Sequence, residues 1–195
     1  MIIISIDVGE KNLGYTVAQA ITFDNLTELS KIKFHSGVYN LNIKHGKNSI
    51  IISRIDALSK FIDFIIESFG NDIFGLIIEK QVSKNYSAME IMYSIIGLIY
   101  QYTKNIFIFD PKLKFNAIDQ IYSTVNKSHK KQSISNMEKL LKSNLSESFS
   151  DLNKLLISSK KKDDIADSFN QLIIYLSMNN LINLPIEDIK KLYEI

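Results

Sequence analysis

The chain opens on an almost unbroken apolar run, Ile2-Ile3-Ile4-Ser5-Ile6, built from β-branched residues around one serine. A half-exposed strand would alternate with polar residues, so this run predicts a strand buried on both faces of a sheet. Gly9 and Gly14 bracket a turn, and a second apolar run over 13–18 follows at once, which predicts an antiparallel hairpin. The scattered apolar residues of 28–39 end in Gly37-Val38-Tyr39 and read as a third antiparallel strand, with a loop over 40–47. From 49 to 69 the apolar residues Ile51, Ile52, Ile55, Leu58, Phe61, Ile62, Ile65 and Ile66 recur at steps of three and four. That spacing predicts an amphipathic helix, which Gly70 stops. Residues 74–79 and 106–109 read as further apolar strands, the first ending in Glu79 and the second closing on Asp110-Pro111.

Residues 87–102 predict a helix that is apolar nearly all round, from Met89 to Tyr102. One of its faces can pack on the sheet, while the rest calls for more of the chain or for a second subunit. Residues 112–162 are polar and rich in serine and lysine, with helical stretches over 133–141 and 152–157 and an exposed loop expected at 126–131. Lys160-Lys161-Lys162 then leads into Asp163-Asp164-Ile165-Ala166-Asp167. Here a last strong helix begins, with Ile165, Phe169, Leu172, Ile173 and Leu176 on one apolar stripe and Asp164 and Asp167 off it. Beyond Asn180, residues 186–193 read as a short surface helix.

Composition narrows what this α/β pattern can be. At 195 residues with 46% hydrophobic and 23% charged side chains, one compact domain with a sizeable core is expected. There is no room for the two large lobes of an actin-like kinase. The chain has no cysteine and three scattered histidines, so a disulfide or thiolate metal site is excluded and any metal is expected to be held by oxygen. The longest apolar run, 91–100, is too short to span a bilayer, and with a strand starting at residue 2 no signal or transit peptide is expected. A soluble protein that works where it is made, in the cytoplasm, is therefore expected. The net charge of +2 conceals an asymmetry: 126–162 carry 9 basic and 3 acidic residues, and 163–195 carry 2 and 6. A basic block beside an acidic one fits a polyanion held next to a metal site, although a solvated lysine-rich helix face has the same composition.

The candidate chemistry lies in the acids that end apolar strands. Asp7 and Glu79 each follow a buried run, at the edge of the sheet where α/β proteins commonly place ligands. A carboxylate there needs a cation, an arginine or backbone amides to offset its desolvation. Asp7 in Asp-x-Gly is by itself weak, because a turn aspartate capping its own backbone reads alike. Asp163, Asp164 and Asp167 place three acids in five residues, more than dipole complementarity at a helix start requires. Asp110 is a third strand-end acid, but Asp-Pro is also a routine turn.

The order Asp at the end of strand one, Glu at the end of strand four and Asp-x-x-Asp opening a late helix resembles the RuvC-like Holliday junction resolvases of the RNase H-like superfamily. Within that group I-D-V-G-E-K-N-L-G, I-I-E-K-Q and K-K-D-D-I-A-D-S look most similar to the poxvirus branch. The resemblance runs from Ile2 to about Tyr175. It implies an RNase H-like fold: a mixed five-stranded sheet, three antiparallel strands then two parallel, flanked by helices. Residues 1–195 would form one nuclease domain, with 126–162 a basic, partly loop-like DNA-binding segment.

The resemblance further implies Asp7, Glu79, Asp164 and Asp167 as catalytic, metal-binding carboxylates. Lys131 falls where bacterial members carry a functional lysine, with Lys130 its near substitute. Two magnesium ions per site, manganese substituting, would support hydrolysis of a phosphodiester, in paired symmetric nicks across a four-way DNA junction. The junction's twofold symmetry makes a homodimer the expected partner arrangement, with helix 87–102 as its interface and no nucleotide cofactor. DNA backbone contacts are expected from Lys80, Lys84, Tyr86, Lys127, Lys130, Lys131, Lys160, Lys161 and Lys162. A viral enzyme of this kind would work in the host cytoplasm. The aromatic that follows closely behind the glutamate in bacterial members is replaced here by Lys80-Gln-Val-Ser-Lys-Asn, and Tyr86 is the first aromatic after it. A non-cleaving junction-binding protein on the same fold is the alternative. An actin-like phosphotransferase shares only the first hairpin, and with seven glycines the chain shows neither a second Asp-x-Gly hairpin nor a glycine-rich adenosine loop.

Overall fold

The computed structural model describes residues 1–20, 31–41, 50–111, 129–143 and 147–182. Its centre is β1 (Ile2–Val8), hydrogen-bonded on both sides: antiparallel to β2 (Asn12–Gln19) and parallel to β4 (Ile73–Glu79). β3 (Lys33–Asn40) continues the antiparallel side and β5 (Ile106–Phe109) the parallel side, giving the order β3-β2-β1-β4-β5. This is the mixed five-stranded sheet expected. The third strand, read from the apolar residues of 28–39, runs over Lys33–Asn40 and pairs with β2 along its whole length, while residues 28–30 lie outside the described residues.

Helices cover both faces of the sheet. α1 (Ile50–Phe69) and α2 (Tyr86–Ile99) lie on one face, where Ile2, Ile4, Ile6 and Val8 of β1 meet Leu58, Phe61, Ile65, Ile91 and Ile95. α1 ends at Gly70, whose φ of +96° is the left-handed conformation that favours glycine after a helix. Ile55, read from its spacing as part of the inward face, is 45% exposed. α2 starts at Tyr86 because the Asn85 side chain accepts a hydrogen bond from the Ala88 amide at 3.2 Å. It closes at Ile99, short of the expected Tyr102.

On the other face lie α3 (His129–Ser143), α4 (Glu147–Ser158) and α5 (Lys162–Met178). Residues 129–131, expected in an exposed loop, are the first turn of α3. Polarity alone misleads there, since lysine and glutamine are good helix formers. α5 also departs from its reading as a helix with one apolar stripe. It is buried nearly all round from Ile165 to Ser177, between the sheet and the α3–α4 layer, Asp167 and Tyr175 being partly open. Its polar residues are kept inside by partners far away in sequence. Asn170 donates to the Ser133 carbonyl at 2.9 Å and lies 2.8 Å from the Ser133 hydroxyl. The tail expected at 186–193 lies outside the described residues. Among those described, no helix is long and apolar enough to cross a membrane.

Candidate active site

Alternation along β1 decides where Asp7 goes. Ile2, Ile4, Ile6 and Val8 point to the α1–α2 face, so Ile3, Ser5 and Asp7 point to the α5 face. On β4, Ile77 joins the α5-side core, which turns Glu79 to that side too. The parallel register brings Ile6 opposite Ile78, so the next residues along, Asp7 and Glu79, leave the sheet edge side by side. Strand register alone thus puts Asp7 and Glu79 on neighbouring strands at the same edge and on the same face of the sheet.

The second pair of acids arrives on α5. Asp7 is paired across the hairpin with Gly14 of β2, and the Asp164 carbonyl rests directly on the Gly14 Cα. A Cβ at residue 14 would overlap that backbone, so glycine here admits the helix start to the sheet. Gly14, which brackets the turn in the sequence, lies within β2, and its role is close approach. One helical turn on, Ser168 Oγ lies 3.0 Å from Thr16 Oγ1. Four helical residues rise about 6 Å and two strand residues about 6.7 Å, so α5 runs along β2 with its N-terminus at the end of the sheet that carries Asp7 and Glu79.

A chain of hydroxyls fixes this placement. Ser168 gives its proton to the Ile165 carbonyl at 3.0 Å, so Thr16 donates to Ser168 and Ser36, at 2.8 Å, donates to Thr16. Deeper in the layer, Gln171 Nε2 donates to the carbonyl of Ile6, the residue before Asp7, at 3.4 Å. None of these ties carries a sequence motif. Small hydroxyls and amides on an otherwise apolar helix are their only signal.

Electrostatics distinguish the neighbouring acids. Asp163 accepts a hydrogen bond from Lys130 Nζ of α3. Burial alone would raise the Asp163 carboxyl, but that bond, its own backbone amide and the charges of Lys130 and Lys161 bring it below the usual range. Asp164 shifts the other way, raised by burial and then by the charge of Asp163 against the pull of Lys161 and Lys130. Lys130 is held above the ordinary lysine value, first by its hydrogen bond to Asp163 and then by that residue's charge, with Asp164 and Asp167 adding to it. The lysine facing the acids is therefore Lys130. Lys131, its neighbour on α3, is exposed.

The remaining basic positions surround the same edge. Lys80, Lys84 and Tyr86 are exposed on the connection that follows Glu79 and at the start of α2. Lys160 and Lys161 are exposed just ahead of α5, and Lys162 is partly so. Lys127 lies outside the described residues. Asp110 follows β5, whose Phe109 pairs with Glu79, so it stands one strand further from Asp7. Among the described residues no three carboxylate or imidazole groups converge closely enough to form a ready metal cage. The donor set is nonetheless all oxygen, and two strand ends and a helix start bring it to one edge. That chemistry fits a hard divalent cation.

Known structures share this arrangement of elements. The fowlpox virus resolvase bound to Holliday junction DNA matches at a TM-score of 0.60 and 23% identity, over 92% of this chain and 99% of that one. The yeast mitochondrial Holliday junction resolvase Ydc2 matches at 0.56 and 16%, over 98% and 81%. RuvC of Thermus thermophilus, in complex with a Holliday junction substrate, matches at 0.52 and 12%, over 92% and 97%. No curated protein sequence matches significantly. The fold is that of the RuvC-like resolvases, as the motif order implied. The model of the Poxvirus A22 protein family matches residues 1–180, and the chain belongs to that family.

Proposed function

We propose that this chain is a Holliday junction resolvase, a metal-dependent endonuclease that makes paired symmetric nicks in four-way DNA junctions. The observation that carries the reading is the seat of α5 on Gly14, which brings Asp164 and Asp167 to the edge where Asp7 and Glu79 end their strands. Family membership and the shared fold support it. The oxygen donors suit two magnesium ions, manganese substituting, which when bound supply activation of a water and stabilisation of the departing 3′ oxygen. Asp7, Glu79, Asp164 and Asp167 are the residues that would hold them. Lys130, with Lys131 beside it, binds the scissile phosphate and offsets the charge that develops there. Lys80, Lys84, Lys127 and Lys160 to Lys162 track the backbones of the arms, which makes binding salt-dependent and leaves base sequence unread.

The partner would be a second copy, meeting this one along α2. Tyr86, Met89, Tyr93, Ile96 and Tyr100 follow one another at steps of three and four, a 3.5-residue period that suits pairing with another helix. Tyr86, Tyr93 and Tyr100 are 80%, 57% and 52% exposed, so the tyrosines of this seam stand open among the described residues. A homodimer presents two active sites to a substrate with approximate twofold symmetry. As a viral enzyme it would process branched genome intermediates in the host cytoplasm.

The test is cleavage of an end-labelled immobile junction in magnesium or manganese, beside a linear duplex of the same sequence. Paired nicks in the junction alone, abolished in Asp7→Asn while binding persists, are the expected result. Tight binding with no cleavage in either metal would replace the resolvase with a junction-binding protein.

A further inference from the structure

We infer that Asp163 is a positioning residue, which holds Lys130 at the rim of the carboxylate edge so that its ammonium meets the scissile phosphate and leaves Asp164 and Asp167 to the metal. This deepens the resolvase reading and rests on it. Asp163 is the extra acid beside the Asp-x-x-Asp pair, and the chemistry above gives it no task.

The two partners are unequal in freedom. The Asp163 side chain is 19% exposed and that of Lys130 is 73%, so the acid is seated in the fold and the long lysine is tethered from it. The tether joins the first turn of α3 to the first turn of α5, across 33 residues of sequence. A second tie holds the same two helices in place, since Asn170 grips Ser133 through both its carbonyl and its hydroxyl. Lys130 therefore cannot drift without losing one fixed partner.

Position matters here because an ammonium has three donors and a flexible stem. One donor on Asp163 leaves two directed outward for phosphate oxygens. Without Asp163, Lys130 is left to Asp164 and Asp167, whose charges it already feels. A lysine paired there would compete with divalent cations for the same oxygens. As an exposed ion pair the contact stabilises the fold little. Its consequence is where the charge stands.

A double-mutant cycle separates this role from that of a fifth metal ligand. In single-turnover junction cleavage, Lys130→Ala is expected to slow the reaction about 100-fold and Asp163→Asn about tenfold. The double variant should be no slower than Lys130→Ala. Asp163→Glu should recover most of the rate, and the half-saturating magnesium concentration of Asp163→Asn should stay within about twofold of wild type. The inference is overturned if Asp163→Asn slows the Lys130→Ala enzyme by its full factor again, or if its magnesium midpoint rises about tenfold or more. Thermal melts establish that each variant is folded.

A readout without chemistry uses junction binding in the Asp7→Asn background. Each of Lys130→Ala and Asp163→Asn should lower the slope of log affinity against log salt by about 0.9, and the pair together by no more than one of them alone. A steeper slope or unchanged binding for Asp163→Asn would sink the positioning role. If the wild type cleaves no junction, the resolvase reading fails while this cycle still reports on the pair.

Discussion

Successive residues of β1 enter two different environments. Ile2, Ile4, Ile6 and Val8 face α1 and α2 across a layer of hydrocarbon, with Phe61, Ile65, Ile91 and Ile95 fully buried against them. Ser5 and Asp7 face α5, a helix that buries Ser168, Asn170 and Gln171 among its apolar residues. The first face gains stability from area, which is non-directional and tolerant of exchange. The second spends polar groups on directed bonds, and those bonds decide where Asp164 lies relative to Asp7. One strand therefore supports bulk stability on one side and placement on the other.

The largest loss of stability is expected on the hydrocarbon side. Phe61 is fully buried and packs on both Tyr15 and Tyr39, with ring centroids 5.9 and 5.1 Å away. Phe61→Ala should cost about 3–5 kcal/mol in urea denaturation. Junction cleavage by the fraction that remains folded should be close to wild type. A cleavage rate that fell much further than the folded fraction would break the division of labour between the faces.

The opposite signature is expected at Gly14. Gly14→Ala forces the Asp164 backbone away from β2, an overpacking that costs about 1–3 kcal/mol. The damage to function should be far larger, because a displacement of about 1 Å at a reacting centre can cost on the order of 100-fold in rate. Cleavage by Gly14→Ala, assayed well below its melting temperature, should therefore fall by about two orders of magnitude. Retained activity would mean that the close approach is packing alone.

The two faces were also unequally legible in the sequence. The hydrocarbon side follows from period: alternation is absent in β1, steps of three and four recur in α1, and Gly70 marks its end. The acids at strand ends, Asp7 and Glu79, were legible for the same reason, since a charge that closes an apolar run is conspicuous. What period could not reveal is α5 as an interior helix, because Ser168, Asn170 and Gln171 look solvent-facing until Thr16, Ser133 and Ile6 arrive from elsewhere in the chain. Residues 129–131 read as loop for a different reason: Lys130 and Lys131 are exposed as expected, but exposure does not exclude a helix, and they form the first turn of α3. Gly14 carried a readable letter, but its partner is a backbone 150 residues away.

The smallest effect sharpens the comparison through pH, on the hydrocarbon side. His35 of β3 lies against Phe69 of α1, with ring centroids 5.1 Å apart. Partial burial there, and then the charge of Lys33 on the same strand, lower its pKa from the ordinary histidine value. A folded state that disfavours the imidazolium binds fewer protons than the unfolded chain, so stability rises with pH in this window. The contribution is full above about pH 6.5, the unfolded value, and is lost as pH falls from there through the lowered folded value. Melting temperature should therefore decline on acidification from pH 7.5 towards 5.5, and His35→Gln should flatten that decline. An unchanged slope in His35→Gln would assign the response to groups other than this histidine.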